Sequence, residues 1–212
     1  MGKKLRDFRD KTHDVVFEYY DVLDEYEAGT SRRKIKARLK ELIEKDPDFL
    51  DPYISLYGIL LEENKTREAE EILDEAYRRA LALITDEKGN WPDSLPWGWL
   101  ENRHIIRTLV NKAVSLWDQE KTDEALEMFR KLLRTNPSDN AGVRFYILAI
   151  RLNMSLEEFE KKFDKGGFYL ATEIDGWFEE NSKKFPDEFE WWWEEVTKYE
   201  EDISPENSDD QK

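Results

Sequence analysis

Two histidines, His13 and His104, are the only imidazoles in the chain, set among 49 acidic residues. A metal centre built on a helix wants histidines four residues apart, or a frame such as H-E-x-x-H. Neither histidine stands in one, and acidic runs such as "EFEWWWEEV" do not follow a calcium-loop pattern. No metal and no cofactor is expected. Cysteine is absent, which excludes thiol catalysis, thiolate ligation and disulfides. Nucleophilic catalysis would fall to Ser or Thr, but there is no G-x-S-x-G elbow. Neighbouring acids such as Glu62/Glu63 and Glu179/Glu180 arise by chance in so acidic a chain, and no spacing marks the cleft that paired catalytic carboxylates need. The one Gly-Gly, in "DKGGFY", has no Lys-Ser/Thr after it and follows no strand, so it is not read as a phosphate loop. The chemistry points away from an enzyme.

Binding chemistry is better represented. Arginines recur at 103, 107, 144 and 151, and a planar guanidinium pairs bidentately with a carboxylate. Two tryptophan clusters stand out, "WPDSLPWGWLENRH" at 91–104 and Trp191, Trp192 and Trp193 in "EWWWEE". Three successive residues on a helix point about 100° apart and cannot share one face. The triplet is therefore read either as a terminal cap or as a surface for self-association.

These residues are positioned by helices. Nearly every periodic segment follows the 3.6-residue repeat, and no alternating strand pattern appears. The first helix is read over about 3–27, with Phe8, Val15, Tyr19, Val22, Leu23 and Tyr26 on one face and Gly29 as its stop. Ser31, Thr66 and Thr122 are candidate caps for later helices, and Ser155 with Glu158 forms a capping box. Further helices follow "DPDFLDP", the tryptophan-rich insert and "NPSDN", and two more cover about 168–184 and 187–201.

Spacing repeats along the chain. Ala69, Leu73 and Ala76 are four and three apart, as are Ala125, Phe129 and Leu132. Gly58 with Leu61 matches Ala113 with Leu116, a small residue and then a large apolar one. Over 106–139, Leu109, Ala113, Leu116, Ala125, Phe129, Leu132 and Pro137 resemble the tetratricopeptide repeat, a helix–turn–helix unit of roughly 34 residues. Lys112 stands in the usual Leu slot, and Gln119–Glu120 replaces the usual turn glycine. The pair "LPWGWLENR" and "LLRTNPSDNAGVR" also resembles signatures of an uncharacterised prokaryotic group of tetratricopeptide proteins, which carries no known activity.

The resemblance implies an all-α fold, a right-handed α-α solenoid of about ten helices. Its parts are N-terminal capping helices (1–50), a first repeat (51–84), the Trp/Pro-rich insert (85–101), a second repeat (102–138), a degenerate third repeat (139–165), C-terminal capping helices (166–203) and a disordered acidic tail (204–212). It implies a non-catalytic interaction module that binds a peptide or helix in a concave groove. Arg103, Arg107, Val110, Val114, Trp117, Arg144, Leu148 and Arg151 would line that groove and suit an acidic protein or peptide partner. The arginines could equally pair with the chain's own acids. Val110 and Val114 occupy two places where relatives that grip chaperone C-termini carry Lys and Asn, so that role is not expected. The alternative function is a homo-oligomeric scaffold associating through Trp191, Trp192 and Trp193. The insert is read as a packed splice across a repeat seam, or as a groove rim made by Trp97, Trp99 and Arg103.

Charge bounds the partners. The 212-residue chain carries a net −16, divided as +2 over 1–45, −8 over 46–100, +2 over 101–154 and −12 over 155–212. Nucleic-acid binding needs a surplus of Lys and Arg and is not expected. No apolar run approaches the roughly 18 residues of a membrane span. The first residues lack a secretory apolar stretch, and Gly2 is followed by Arg6 where myristoylation wants Ser or Thr. A cytoplasmic location is expected.

Overall fold

The computed structural model of the chain describes residues 5–203. Ten α-helices are present among them: α1 (Val16–Glu27), α2 (Arg32–Lys45), α3 (Asp51–Glu62), α4 (Thr66–Ile84), α5 (Arg103–Asp118), α6 (Thr122–Thr135), α7 (Val143–Arg151), α8 (Leu156–Phe163), α9 (Ala171–Asn181) and α10 (Pro186–Ile203). Short 3-10 turns cover Leu100–Asn102 and Ser182–Lys184. The fold is all-α, and two isolated bridges, Asp7 with Ser94 and Asp164 with Tyr169, are the extended pairings described. No helix among the described residues is long and apolar enough to cross a membrane. The expected tail at 204–212 lies outside the described residues.

Apolar spacing decides which face each helix buries. Ala69, Leu73, Ala76 and Ala80 turn inward on α4, as do Ala125, Phe129 and Leu132 on α6. Small residues in these stripes let neighbouring helices approach, and the large ones fill the space between them. Each helix from α1 to α6 packs on the next, and α3 also touches α5. Further links join odd-numbered helices: the Tyr19 hydroxyl of α1 lies 2.9 Å from that of Ser55 in α3, and Trp117 of α5 packs edge-on against Tyr146 of α7.

The odd-to-even turns share one backbone motif. Gly29, Asn64, Glu120 and Asn153 all take positive φ, between 58° and 87°. In each turn the next residue's N–H donates five residues back: Thr30 to Glu25, Lys65 to Leu60, Lys121 to Leu116 and Met154 to Ala149. These are Schellman endings, which satisfy helix carbonyls that would otherwise be orphaned. Ser155 and Glu158 form the expected capping box. Ser31 stands at its cap position without a side-chain cap bond, whereas Thr66 and Thr122 are already the first helical residues of α4 and α6.

The expected helix over 3–27 begins only at Val16. Residues 6–10 are extended instead, because their backbone pairs with the insert. Phe8 N–H donates to the Ser94 carbonyl, and Asp93 and Ser94 N–H both donate to the Arg6 carbonyl. The Arg6 guanidinium reaches the Ile84 and Asn90 carbonyls. No local periodicity encodes these partners.

Glu120 is exposed, and its left-handed backbone is strained for a side chain with a Cβ. Replacing Glu120 with Gly should raise stability by about 0.5–1 kcal/mol, the relief of strain exceeding the extra freedom of the unfolded chain. Urea unfolding measures it, and a loss of stability would contradict the turn geometry.

Candidate functional site

The middle of the chain is a joint built from "LPWGWLENR" and "NPSDNAGVR". In "LPWGWLENR", Leu95 is fully buried and its N–H donates to the Thr135 carbonyl at the end of α6. Trp97 N–H donates to the Asn136 carboxamide oxygen, 3.1 Å away. In "NPSDNAGVR", Asp139 is buried beneath the start of α7 and accepts from Val143 N–H, Arg144 N–H and the Arg144 guanidinium. Burial pushes its carboxyl up to about 6, against the pull of Arg144. Gly142 takes a φ of 69°, and a Cβ there would come within 3.3 Å of Phe145. The two stretches thus meet through Leu95–Thr135 and Trp97–Asn136.

Asn102 closes the joint. It is fully buried, accepts from Asp10 N–H at 2.9 Å and donates to the carbonyls of Phe8 and Pro96. Beside it lies a titratable cluster. Asp10 Oδ2 sits 3.0 Å from His13 Nε2 and 2.9 Å from His104 Nε2, and His13 Nδ1 lies 2.7 Å from Asp46 Oδ2. Phe49 covers both imidazoles, its ring centre 5.3 Å from each.

Hydrogen-bond direction fixes what this cluster does. Leu50 N–H donates to His104 Nδ1, so the proton of that ring sits on Nε2 and points at Asp10. Asp10, His13 and His104 offer ligand atoms within 4.8 Å of one another. The protonated Nε2 of His104 nevertheless leaves no lone pair for a cation. His13 faces a carboxylate at each nitrogen, the arrangement of an imidazolium. Burial opposes its charge, yet the hydrogen bonds to Asp10 and Asp46 raise its pKa above the ordinary 6.5. Burial likewise opposes ionisation of Asp10, but the bonds from His104 and His13 hold it well below the usual carboxylate range. Asp46 is lowered by His13 in the same way, against its own burial. The cluster is a charged clamp that fastens the N-terminal segment to the α2–α3 connection and to α5.

The expected groove residues fall into three groups. Arg107, Arg144 and Arg151 are taken up by the chain's own acids. Arg107 grips Asp51 of α3 through both carboxylate oxygens, and Arg144 bonds Asp139 and, at 2.7 Å, Asp175 of α9. Arg151 pairs with Asp187 and Glu188 of α10. Trp117 and Leu148 are buried, Trp117 against Tyr146 and Phe159, and neither faces solvent. Val110 and Val114 stay half-exposed on α5, and Arg103 stacks near Trp97 with its Nε–H bonded to the Trp97 carbonyl. Arg103 has no carboxylate partner among the described residues.

The tryptophan triplet divides as helical geometry requires. Trp192 is buried and donates to the Pro137 carbonyl, Trp191 donates to the Glu188 carbonyl beneath Arg134, and Trp193 rests on Phe178 and Trp192. Two contributors escaped the sequence reading, the clamp acid Asp10 and the buried Asn102. Their partners lie roughly ninety residues away in the chain, beyond any local signal.

Fold and joint together define an all-α protein of packed helical hairpins, braced by an internal polar clamp. No protein-family model, curated protein or solved structure matches the chain.

The clamp makes stability depend on pH. The contribution of His13 is fully present below its unfolded value of 6.5 and is lost as pH rises through its higher folded value. The contributions of Asp10 and Asp46 are present above 3.8 and are lost as pH falls through their lowered folded values. Replacing His13 with Gln leaves two acids short of a partner and should cost about 3 kcal/mol near pH 5.5. Denaturant unfolding of both proteins from pH 4 to 9 checks this. A difference that fails to shrink at alkaline pH would rule out an imidazolium.

Proposed function

We propose that the chain is a non-catalytic protein-interaction module, a right-handed α-α solenoid of tetratricopeptide type. It receives a peptide or helix along the face formed by its odd-numbered helices. The repeat reading draws support from the four matching Schellman turns at Gly29, Asn64, Glu120 and Asn153. It also draws on the side-by-side links α1–α3, α3–α5 and α5–α7. Helical hairpins of this kind cannot bury their faces singly and rely on stacking.

One observation carries the binding reading: an open apolar strip across α3 and α5. On α5 the half-exposed residues Arg107, Val110, Asn111 and Val114 recur at helical spacing, followed by exposed Asp118. On α3, a Cβ added to Gly58 would meet nothing within 4 Å, and Leu61 is 39% exposed. Tyr20 of α1 stands nearby at 53% exposure, close enough to act electrostatically on Arg107. An amphipathic helix or an extended peptide buries apolar area against such a strip. Arg103 and the Trp97 ring supply a cationic and aromatic end to it. With Arg107 committed to Asp51, that end is the part of the face suited to a partner carboxylate.

The double variant Val110→Glu with Val114→Glu places charge on the strip at half-buried residues that pack on the outside of the core. Affinity capture from the native cell should lose its specific partner at least tenfold, about 1.4 kcal/mol or more, while the helical circular dichroism is unchanged. Retention of the same partner by the folded variant would rule the strip out.

A further inference from the structure

The seams between successive even-numbered helices differ in what covers them. Between α4 and α6 lies a cavity of about 380 Å³ lined by Tyr77, Leu81, Lys112, Met128, Lys131 and, from the insert, Trp91. Lys131 sits 6.0 Å from the Trp91 ring, and Lys112 is paired with Asp74. The insert carrying that indole is acidic, with Asp86, Glu87 and Asp93. The chain itself therefore shows a tryptophan borne on an acidic segment seated in such a seam, beside lysines that are paired with Asp74 and Glu127 and alongside Glu124.

The corresponding seam between α2 and α4 has a volume of about 470 Å³ and no insert, because residues 46–50 join α2 directly to α3. Its floor is Leu56, Leu60 and Ile72; the α2 side of its rim carries Arg33, Lys36 and Lys40, and the α4 side carries Lys65, Glu68 and Glu71, the last paired with Arg67. Lys36 and Lys65 share Glu63, while Arg33 and Lys40 have no carboxylate partner among the described residues. Helix α2 carries seven basic residues against two acidic ones in a chain of net −16.

A second tryptophan on an acidic segment lies on α10, whose inner residues join α6, α7 and α9. On α10, Glu190, Trp193, Glu194 and Thr197 recur at helical spacing along one side of an open groove. Eight acids and one lysine make up the charge of α10. Its inner face is fixed by buried Phe189 and Trp192, and by Glu188 bound to Arg130 and Arg151. Lys198, beside the stripe, leans toward Glu195. Held there, α10 reaches an α2/α4 seam only in another molecule.

We propose that the α2/α4 seam of one copy receives the Glu190–Trp193–Glu194 stripe of α10 from a second copy. The indole covers the Leu60–Ile72 floor, and the two glutamates face Arg33 and Lys40. Each molecule offers both surfaces on different helices, so the contact is heterologous and joins copies head to tail. The net charge of each copy opposes approach over long distances, and salt near 0.15 M screens this repulsion while sparing contacts shorter than the Debye length of about 8 Å. The seam lies away from the odd-helix strip, so this self-association stands or falls independently of the peptide-binding reading.

Sedimentation velocity on the full chain tests it at about 0.15 M and about 1 M salt. The wild-type protein should gain mass with concentration at the lower salt and lose at least about tenfold in affinity at the higher. Arg33→Glu with Lys40→Glu, or Glu190→Lys with Glu194→Lys, should each leave a folded monomer. Mixing the two variants should restore association, with the two kinds of copy alternating, because the native pair and the charge-reversed pair of surfaces are both complementary. A wild-type monomer at every concentration, association indifferent to both variants, or a mixture that stays monomeric would each overturn the proposal. A monomer whose seam binds an added acidic, tryptophan-bearing peptide would assign the groove to a different protein and overturn it equally.

Discussion

The arrangement of the helices depends on one buried carboxamide. Asn102 uses its oxygen for Asp10 N–H and its two N–H groups for the Phe8 and Pro96 carbonyls, with no exposure to water. Three segments that share no secondary structure are thereby made to agree: the extended N-terminal segment, the insert and the start of α5. A buried polar group left without a partner costs about 1–3 kcal/mol. Displacing any one segment orphans groups on the other two, so the joint resists piecemeal loosening. The neighbouring His13 clamp adds charge to the same arrangement. Asp10 takes donors from both imidazoles while its own N–H is held by Asn102.

Arginine performs a related task between helices. Arg107 ties α5 to α3, Arg144 ties α7 to α9, and Arg130 with Arg151 ties α6 and α7 to Glu188 of α10. A planar fork suits a bidentate grip, and partial burial raises the cost of separating the pair. The Arg144 guanidinium also lies 3.9 Å from the Phe145 ring and 5.3 Å from that of Trp192. Cations that would attract an acidic ligand on an open groove therefore act mainly inside the molecule. Asp175, Asp187 and Glu188 of the acidic C-terminal helices are the counterparts of Arg130, Arg144 and Arg151.

What the sequence reveals follows how local each signal is. The helix pairs were legible because small and large residues recur at three and four, as in Ala69–Leu73–Ala76 and Ala125–Phe129–Leu132, all buried. The Ser155–Glu158 capping box is equally local. Residues 5–15 misled because Phe8 and Val15 share a helical face, while the groups that hold this stretch extended, Ser94 and Asn102, are distant in sequence. Trp117 and Leu148 sit at positions that would face a groove in an idealised repeat. Here Tyr146 and Phe159 close over Trp117. Arginine spacing showed that pairing was available, but not with which acids, since that choice is made by tertiary structure.

The clamp also governs the order in which the chain assembles. Hairpins such as α3–α4 and α5–α6 form from residues close in sequence and close small loops. Joining Phe8 to Ser94 and Asp10 to Asn102 closes loops of 86 and 92 residues. Loop-closure entropy must be met before such contacts return anything, so distant pairings form late. The N-terminal segment therefore acts as a latch that shuts on hairpins already stacked. A nascent chain holds Asp10 and His13 in readiness until Asn102 and His104, ninety residues behind, have emerged to receive them.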